Sequence, residues 1–228
     1  MWLNAALVTE QAIAGYRKTL TETCPNHLVI DGLFDPAKLQ QVCQVLQQEQ
    51  AWRGQKHSYS ALYVSETKWQ ITPPSQRFVQ RDVWQRQAAD ASCTVALDFL
   101  TFLRSREFMA LLSAMFSVVI TDLNLENPAL NTNYFRLGAR DFINLHADDS
   151  PGREVCMLLY LNEDWQPGQG GELVFGAKPG QPLQIAPLFN RCVLFDPSSA
   201  GSEHWVNPLL AAKNDLWRYN VTSWYWRE

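Results

Sequence analysis

A chain of 228 residues that is 46% hydrophobic and 18% charged can build one substantial core and is too apolar for extended disorder. A formal charge of −4 on only 19 Lys and Arg excludes a general electrostatic attraction to nucleic acid or an anionic membrane. No segment approaches the ~20 apolar residues that a bilayer span requires.

The N-terminus begins Met-Trp-Leu-Asn and reaches Glu10 before any long apolar run, without the basic n-region of a secretory signal. Cys24, Cys43, Cys93, Cys156 and Cys192 form an odd set with no CxxC pair, as expected of reduced, mostly buried thiols. A cytoplasmic setting follows as the expectation. The first half, residues 1–127, reads as mainly helical support. Asp35 caps a helix with Pro36 at its first position, and Leu39, Val42, Cys43 and Leu46 carry the helical period to about Gln50. The segment Ala51 to Gln76, with Gly54, Pro73 and Pro74, lacks a clear period and reads as an irregular strand pair or a loop that closes over a substrate. A second helix is expected from Val79 to Leu103, and a third from Ser105 to Phe116 with Phe108, Leu111, Leu112 and Met115 on one face.

After Asn127-Pro128 the pattern changes to short β-prone runs bounded by turn residues. Strands are expected at Leu130–Leu137, Asp141–Ala147, Glu154–Leu161, Glu172–Phe175, Pro182–Ala186, Arg191–Phe195, Glu203–Val206 and Leu216–Trp226. This spacing suggests an antiparallel barrel or jelly roll in residues 128–228, packed with the N-terminal helices as one α+β domain over residues 1–228. Gly168-Gln169-Gly170-Gly171 reads as a hairpin turn, since it lacks the Lys and the strand–loop–helix setting of a phosphate loop. Leu209 to Asp215 reads as an extended hairpin, with Lys213 a weaker rival for a basic role at the site.

His146 and Asp148, at i and i+2 of an expected strand, project to one face and can offer two metal ligands. His204 can complete the set if the chain folds back, giving two imidazoles and a carboxylate, the donor set of a non-haem Fe(II) facial triad with three positions left open. Asp149 falls on the opposite face, and His27 and His57 lie outside the motif. If Arg218 to Trp226 is a strand, Arg218, Asn220, Thr222 and Trp224 share its inward face.

The stretch INLHADDSPGREVCMLLYLNEDWQPGQGGELVF, followed by RCVLFDP, SEHWVNP and RYNVTSWYW, resembles the 2-oxoglutarate/Fe(II)-dependent dioxygenases of the prolyl-hydroxylase type, over roughly Asn131 to Trp226. The resemblance implies a double-stranded β-helix holding Fe(II) through His146, Asp148 and His204. It further implies hydroxylation of an unactivated C–H bond, with 2-oxoglutarate and O2 converted to succinate and CO2, and ascorbate as a supporting reductant. A carboxylate at position 148 favours hydroxylation over halogenation. Arg218 offers a planar fork for the far carboxylate of 2-oxoglutarate, and Arg218, Tyr219, Thr222 and Trp224 match the family's Arg-Tyr-X-X-Thr-X-Trp pattern.

By the same resemblance Tyr160 assists the arginine, Leu158 lines the same pocket, and Tyr134 or its neighbour Asn133 lies near the metal-bound end of the cosubstrate. Asn220 and Trp224 are expected to face the substrate. Trp52, Trp69, Trp84, Trp165, Trp205 and Trp226 read chiefly as core or strand-packing residues. The substrate implied is a prolyl residue of a protein or peptide; a free amino acid or biosynthetic small molecule is the first alternative. A catalytically silent jelly-roll binding protein is the second, and a metal-free β-protein the third. Neither nucleic acid nor membrane is an expected partner.

Overall fold

The computed structural model describes residues 1–48, 52–86, 93–121, 128–176, 181–210 and 216–227. Five helices, α1 (Glu10–Glu22), α2 (Pro36–Leu46), α3 (Glu66–Ile71), α4 (Thr94–Leu103) and α5 (Arg106–Phe116), accompany eleven strands among the described residues. Three strands come from the first half: β1 (His27–Asp31), β2 (Trp52–Ser58) and β3 (Arg77–Trp84). The other eight are β4 (Thr132–Leu137), β5 (Phe142–His146), β6 (Arg153–Tyr160), β7 (Leu173–Phe175), β8 (Leu183–Ile185), β9 (Arg191–Phe195), β10 (His204–Val206) and β11 (Arg218–Trp226).

All pairings are antiparallel, in the order β1-β9-β6-β11-β4-β3-β5-β10-β7-β8, with β2 laid along β3. This curled antiparallel sheet with N-terminal helices is the expected α+β architecture with a double-stranded β-helix core. β3 joins its two halves, pairing with β4 through Asp82 and Val83 and with β5 through Val79 and Gln80.

Alternation of side chains divides the long strands between two compartments. Val155, Met157 and Leu159 of β6 and Val221 and Tyr225 of β11 face a core shared with the helices. Cys156, Leu158 and Tyr160 face the interior of the curl. Burial on both faces explains why β6 reads as a nearly unbroken apolar run. On the outer side, α4 contributes Ala96, Phe99, Leu100 and Leu103, and α5 contributes Phe108, Leu111, Leu112 and Met115. Phe99 lies against Trp2 and Phe34, with ring centroids 4.7 and 5.2 Å away.

The caps of α2 and α5 are as the sequence implies. Asp35 accepts from the Lys38 backbone N–H at 3.0 Å, and Ser105 accepts from that of Phe108 at 3.2 Å.

Several expectations are corrected. The stretch expected as the start of a helix from Val79 is strand β3, and the described helix begins only at Thr94; residues 87–92 lie outside the described residues. Phe78, Val79, Val83 and Trp84 are β-formers, and pairing with β2 on one edge and with β4 and β5 on the other overrides the weaker helical pattern. α2 ends at Leu46, short of the expected Gln50, which is not among the described residues. The Ala51 to Gln76 segment holds β2 and α3; its first residue lies outside the described set.

Gly168 to Gly171 is no hairpin turn, because the strands it joins, β6 and β7, are not sheet neighbours. The same holds for the connection from β10 to β11, of which residues 211–215, Lys213 included, lie outside the described set. Both are crossovers between the two halves of the curl. No described helix is long and apolar enough to cross a membrane.

Phe99 is fully buried, so Phe99→Ala should cost about 3–5 kcal/mol of stability, whereas removing the cap with Asp35→Ala should cost about 1 kcal/mol. Urea melts at unchanged m-value give both numbers. Equal losses would contradict this account of the outer core.

Candidate metal and carboxylate site

β5 and β10 are antiparallel neighbours with His146 directly opposite His204, so two histidines far apart in sequence become adjacent by register. Their rings lie 4.3 Å apart. Strand β5 ends at His146, one residue earlier than expected, and Asp148 lies just beyond it. Its carboxylate nonetheless returns to the histidines: Oδ1 is 3.9 Å from His146 Nε2, and Oδ2 is 3.9 Å from His204 Nε2. One ligand atom from each of the three residues lies within 4.8 Å of the others, close enough for a single cation to be reached by all three.

Backbone carbonyls set the tautomers. His146 Nδ1 lies 2.9 Å from the Asn144 carbonyl, and His204 Nδ1 lies 2.9 Å from that of Ser202. A carbonyl only accepts, so Nδ1 carries the proton in both rings and the Nε2 lone pairs are left for the cation. Burial, reinforced by His146, pulls His204 down to about 4 and keeps it neutral. Burial alone would raise the Asp148 carboxyl, but His146 and His204, aided by the Trp224 indole and Arg153, outweigh it and hold the group below its usual range. Two imidazoles beside a carboxylate are the donor set of the expected facial triad.

Arg218 occupies the same interior and is fully buried. Its Nε donates to the Gly171 carbonyl at 2.7 Å and its Nη1 to Asn220 Oδ1 at 2.9 Å, and Asn220 Nδ2 donates in turn to Thr222 Oγ1 at 2.9 Å. The guanidinium lies over the Tyr160 ring, 4.9 Å from its centroid. Arg218 Nη2 and Tyr160 Oη are both buried without a hydrogen-bond partner among the described residues. Two orphaned polar atoms side by side suit an anion with two oxygens. Gly171 is needed for this arrangement: its φ is +74°, and a Cβ there would lie 3.0 Å from both Arg218 Cδ and the Trp165 ring.

Arg218, Asn220, Thr222 and Trp224 line one cavity of about 460 Å³ together with the triad and Leu158, as the strand alternation predicts. Tyr160 reaches this group through Arg218. Tyr134 is not brought to the cavity. Its hydroxyl donates to the Ala96 carbonyl at 2.9 Å and its ring packs on Trp84, inside the helix-side core. The strand parity places Asn133 and Phe135 on the cavity wall instead, so the expectation for Tyr134 was off by one residue. Trp224, expected to face substrate, donates its indole N–H to Asp148 Oδ2 at 3.0 Å and so also fixes the triad carboxylate.

Sequence reasoning missed two cavity arginines. Arg153 donates to the Asp148 backbone carbonyl and lies 3.8 Å from its carboxylate. Arg81 was hidden in the segment read as helix; the β-forming residues around it were the available signal. His57 also lines the cavity, where its Nδ1 accepts from the Tyr63 backbone N–H at 3.1 Å, and burial pulls it to about 4. Asp149 is exposed, and neither His27 nor His57 belongs to the triad.

Among solved structures, the chain is similar to a prolyl-4-hydroxylase from Pseudomonas putida, at 18% identity and a TM-score of 0.61, covering 95% of this chain and 99% of that one. An oxidoreductase of the 2OG-Fe(II) oxygenase family from Burkholderia pseudomallei aligns with a TM-score of 0.64 at 16% identity, over 96% of this chain and 93% of that one. A prolyl hydroxylase from Trichoplax adhaerens, solved with a hypoxia inducible factor oxygen degradation domain peptide fragment, gives 0.62 at 18% identity, with 96% and 93% covered. No curated protein matches the chain. Residues 132–226 match the family model described as the 2OG-Fe(II) oxygenase superfamily.

Proposed function

We propose that this protein is a hydroxylase of unactivated C–H bonds that uses Fe(II), 2-oxoglutarate and O2, and that its substrate is a prolyl residue of a protein or peptide. The observation that carries the reading is the buried Arg218, whose Nη2 has no partner among the described residues, held in the same cavity as His146, Asp148 and His204. A buried cation whose donors await an anion is costly unless an anion arrives. The distal carboxylate of 2-oxoglutarate meets that need.

In this reading His146 and His204 hold Fe(II) through Nε2 and Asp148 through a carboxylate oxygen. Bound Fe(II) and 2-oxoglutarate supply the oxidising chemistry: one oxygen atom of O2 enters the C–H bond and the other enters succinate, with release of CO2. The chain supplies position. Asn220 and Thr222 orient Arg218, Tyr160 covers it, and the Trp224 indole keeps one Asp148 oxygen in a fixed direction. Leu158 and Leu173 keep apolar surface against the reacting centre. The prolyl assignment is supported by the names of the structural neighbours and by the sequence motifs together. We read the whole chain as one catalytic unit, and a reducing compartment such as the cytoplasm as its setting, which would keep the metal ferrous and the exposed Cys24 a free thiol.

An anaerobic titration with Fe(II) and 2-oxoglutarate tests the site without knowledge of the substrate. Wild type should develop a visible charge-transfer band; His204→Ala should abolish it. Arg218→Ala should weaken 2-oxoglutarate roughly 100-fold, as expected for two charge-assisted hydrogen bonds. The absence of a band in wild type at saturation would remove the dioxygenase reading. Separately, Trp224→Phe should lower Fe(II) affinity about tenfold by freeing the Asp148 carboxylate, a loss at the lower end for partners that orient metal ligands. Competition with a metal-sensitive dye measures this, and unchanged affinity would make Trp224 a packing residue only.

A further inference from the structure

The cavity lining contains three guanidinium groups, Arg81, Arg153 and Arg218, and a single carboxylate, Asp148. Three guanidiniums against one carboxylate leave an excess of positive charge on the wall, which a ferrous ion and the 2-oxoglutarate dianion together would not change. Two of the three cations have assigned work. Arg153 is committed to Asp148, and Arg218 to the interior carboxylate position described above.

Arg81 has no such partner. Its Nε donates to Gln55 Oε1 at 2.9 Å, and its guanidinium carbon lies over Phe135, 3.4 Å from the ring centroid. Its two terminal nitrogens make no hydrogen bond or ion pair among the described residues. Burial pulls the group down to about 10, with Asp148 and Tyr63 working against that pull and Arg218 adding to it, so it stays charged at neutral pH. The backbone explains its place. β3 pairs with β5 through Val79 and Gln80 and with β4 through Asp82 and Val83, so Arg81 stands at the step where the two halves of the sheet part. Strand β4 lies between β3 and the strand that bears Arg218.

We infer that Arg81, oriented by Gln55 and floored by Phe135, is a second anion subsite that takes a carboxylate of the substrate rather than of 2-oxoglutarate. This rests on the dioxygenase reading and narrows its substrate class to molecules with a carboxylate near the hydroxylated carbon. A planar fork fixed on an aromatic face presents its free edge to two carboxylate oxygens. The carboxylate has two sources: the terminus of a free amino acid or peptide, or an acidic side chain next to the target residue.

The test uses full-length protein loaded with Mn(II) and 2-oxoglutarate, with binding followed by tryptophan fluorescence. One probe pair is N-acetyl-L-proline against its methylamide; the other is N-acetyl-prolyl-glutamate amide against the glutamine isostere. The acidic member of one pair should bind at least about tenfold tighter, the factor expected of hydrogen bonds to a charged group. The responding pair identifies the source. Arg81→Gln should erase that preference and Arg81→Lys keep part of it, both with unchanged affinity for 2-oxoglutarate. Gln55→Leu, which leaves β3 intact, should weaken the preference severalfold. Absence of preference in both pairs, in protein that shows the Fe(II) and 2-oxoglutarate band, would overturn the inference and leave the dioxygenase reading standing. Weakened 2-oxoglutarate with unchanged acidic probe in Arg81→Gln would overturn it too, by making Arg81 part of the cosubstrate clamp. Loss of the band itself in wild type would remove both.

Discussion

A guanidinium held at zero exposure inside a curled sheet is the constraint around which this interior is organised. Arg218 makes no ion pair among the described residues, and its ionised form loses hydration that neutral hydrogen bonds replace only in part. Each neighbour reduces that cost. The Gly171 carbonyl takes Nε, Asn220 takes Nη1 and is itself oriented toward Thr222, and the face of Tyr160 lies beneath the charge. The crossover from β6 to β7 must therefore bring a backbone carbonyl close to the β11 side chain. Gly170 and Gly171 permit it, and a Cβ at Gly170 would sit 1.9 Å from the Pro208 carbonyl oxygen. The two crossovers are thus packed on each other as well as on the arginine.

The triad depends on a different device, register. His146 and His204 face each other because β5 and β10 pair at those residues, and their Nδ1 atoms are tied to carbonyls two residues earlier in their own chain segments. Such ties need no other side chain and fix the rings wherever the pairing holds. Asp148 lies beyond the strand and needs more support, which Trp224 and Arg153 supply from β11 and β6. The carboxylate arm of the site is therefore held by the half of the sheet that bears Arg218, and the imidazoles by the other half.

Much of this was legible in the sequence. All eight expected strands of the second half are present, because each is a short β-prone run bounded by Pro, Gly, Asn or Asp. Two candidate ligands at i and i+2, a third histidine in a distinctive context and one arginine on an alternating strand were enough to pick out His146, Asp148, His204 and Arg218, which the fold brings to one cavity. What was not legible depends on tertiary partners. β2 carries Gly54 and charged residues and is half exposed, so it is a strand only because β3 lies beside it. α1 buries only Leu20 and gives almost no apolar stripe. The assumption that Gly168 to Gly171 joined neighbours failed because sequence adjacency is not sheet adjacency. Tyr134 was misplaced by a single residue, which on a strand exchanges the cavity for the opposite core.

Position on the sheet also separates Arg81 from the triad and from Arg218. The imidazoles of His146 and His204 stand on β5 and β10 and Arg218 on β11, each fixed by pairing within its own half. β3 pairs with both halves, yet at Arg81 it pairs with neither β4 nor β5, being opposed there only by Gln55 of β2. A side chain at that step projects into the cavity without carrying register for the triad or the anchor. The outer edge of β3 is covered by β2, whose neighbouring turn presents Tyr59, Leu62 and Tyr63 to solvent. The segment least specified by local sequence thus borders the cavity, through Gln55, His57, Leu62 and Tyr63. Its conformation is set by pairing to β3, and none of its pairs involves the strands that carry the two histidines or Arg218.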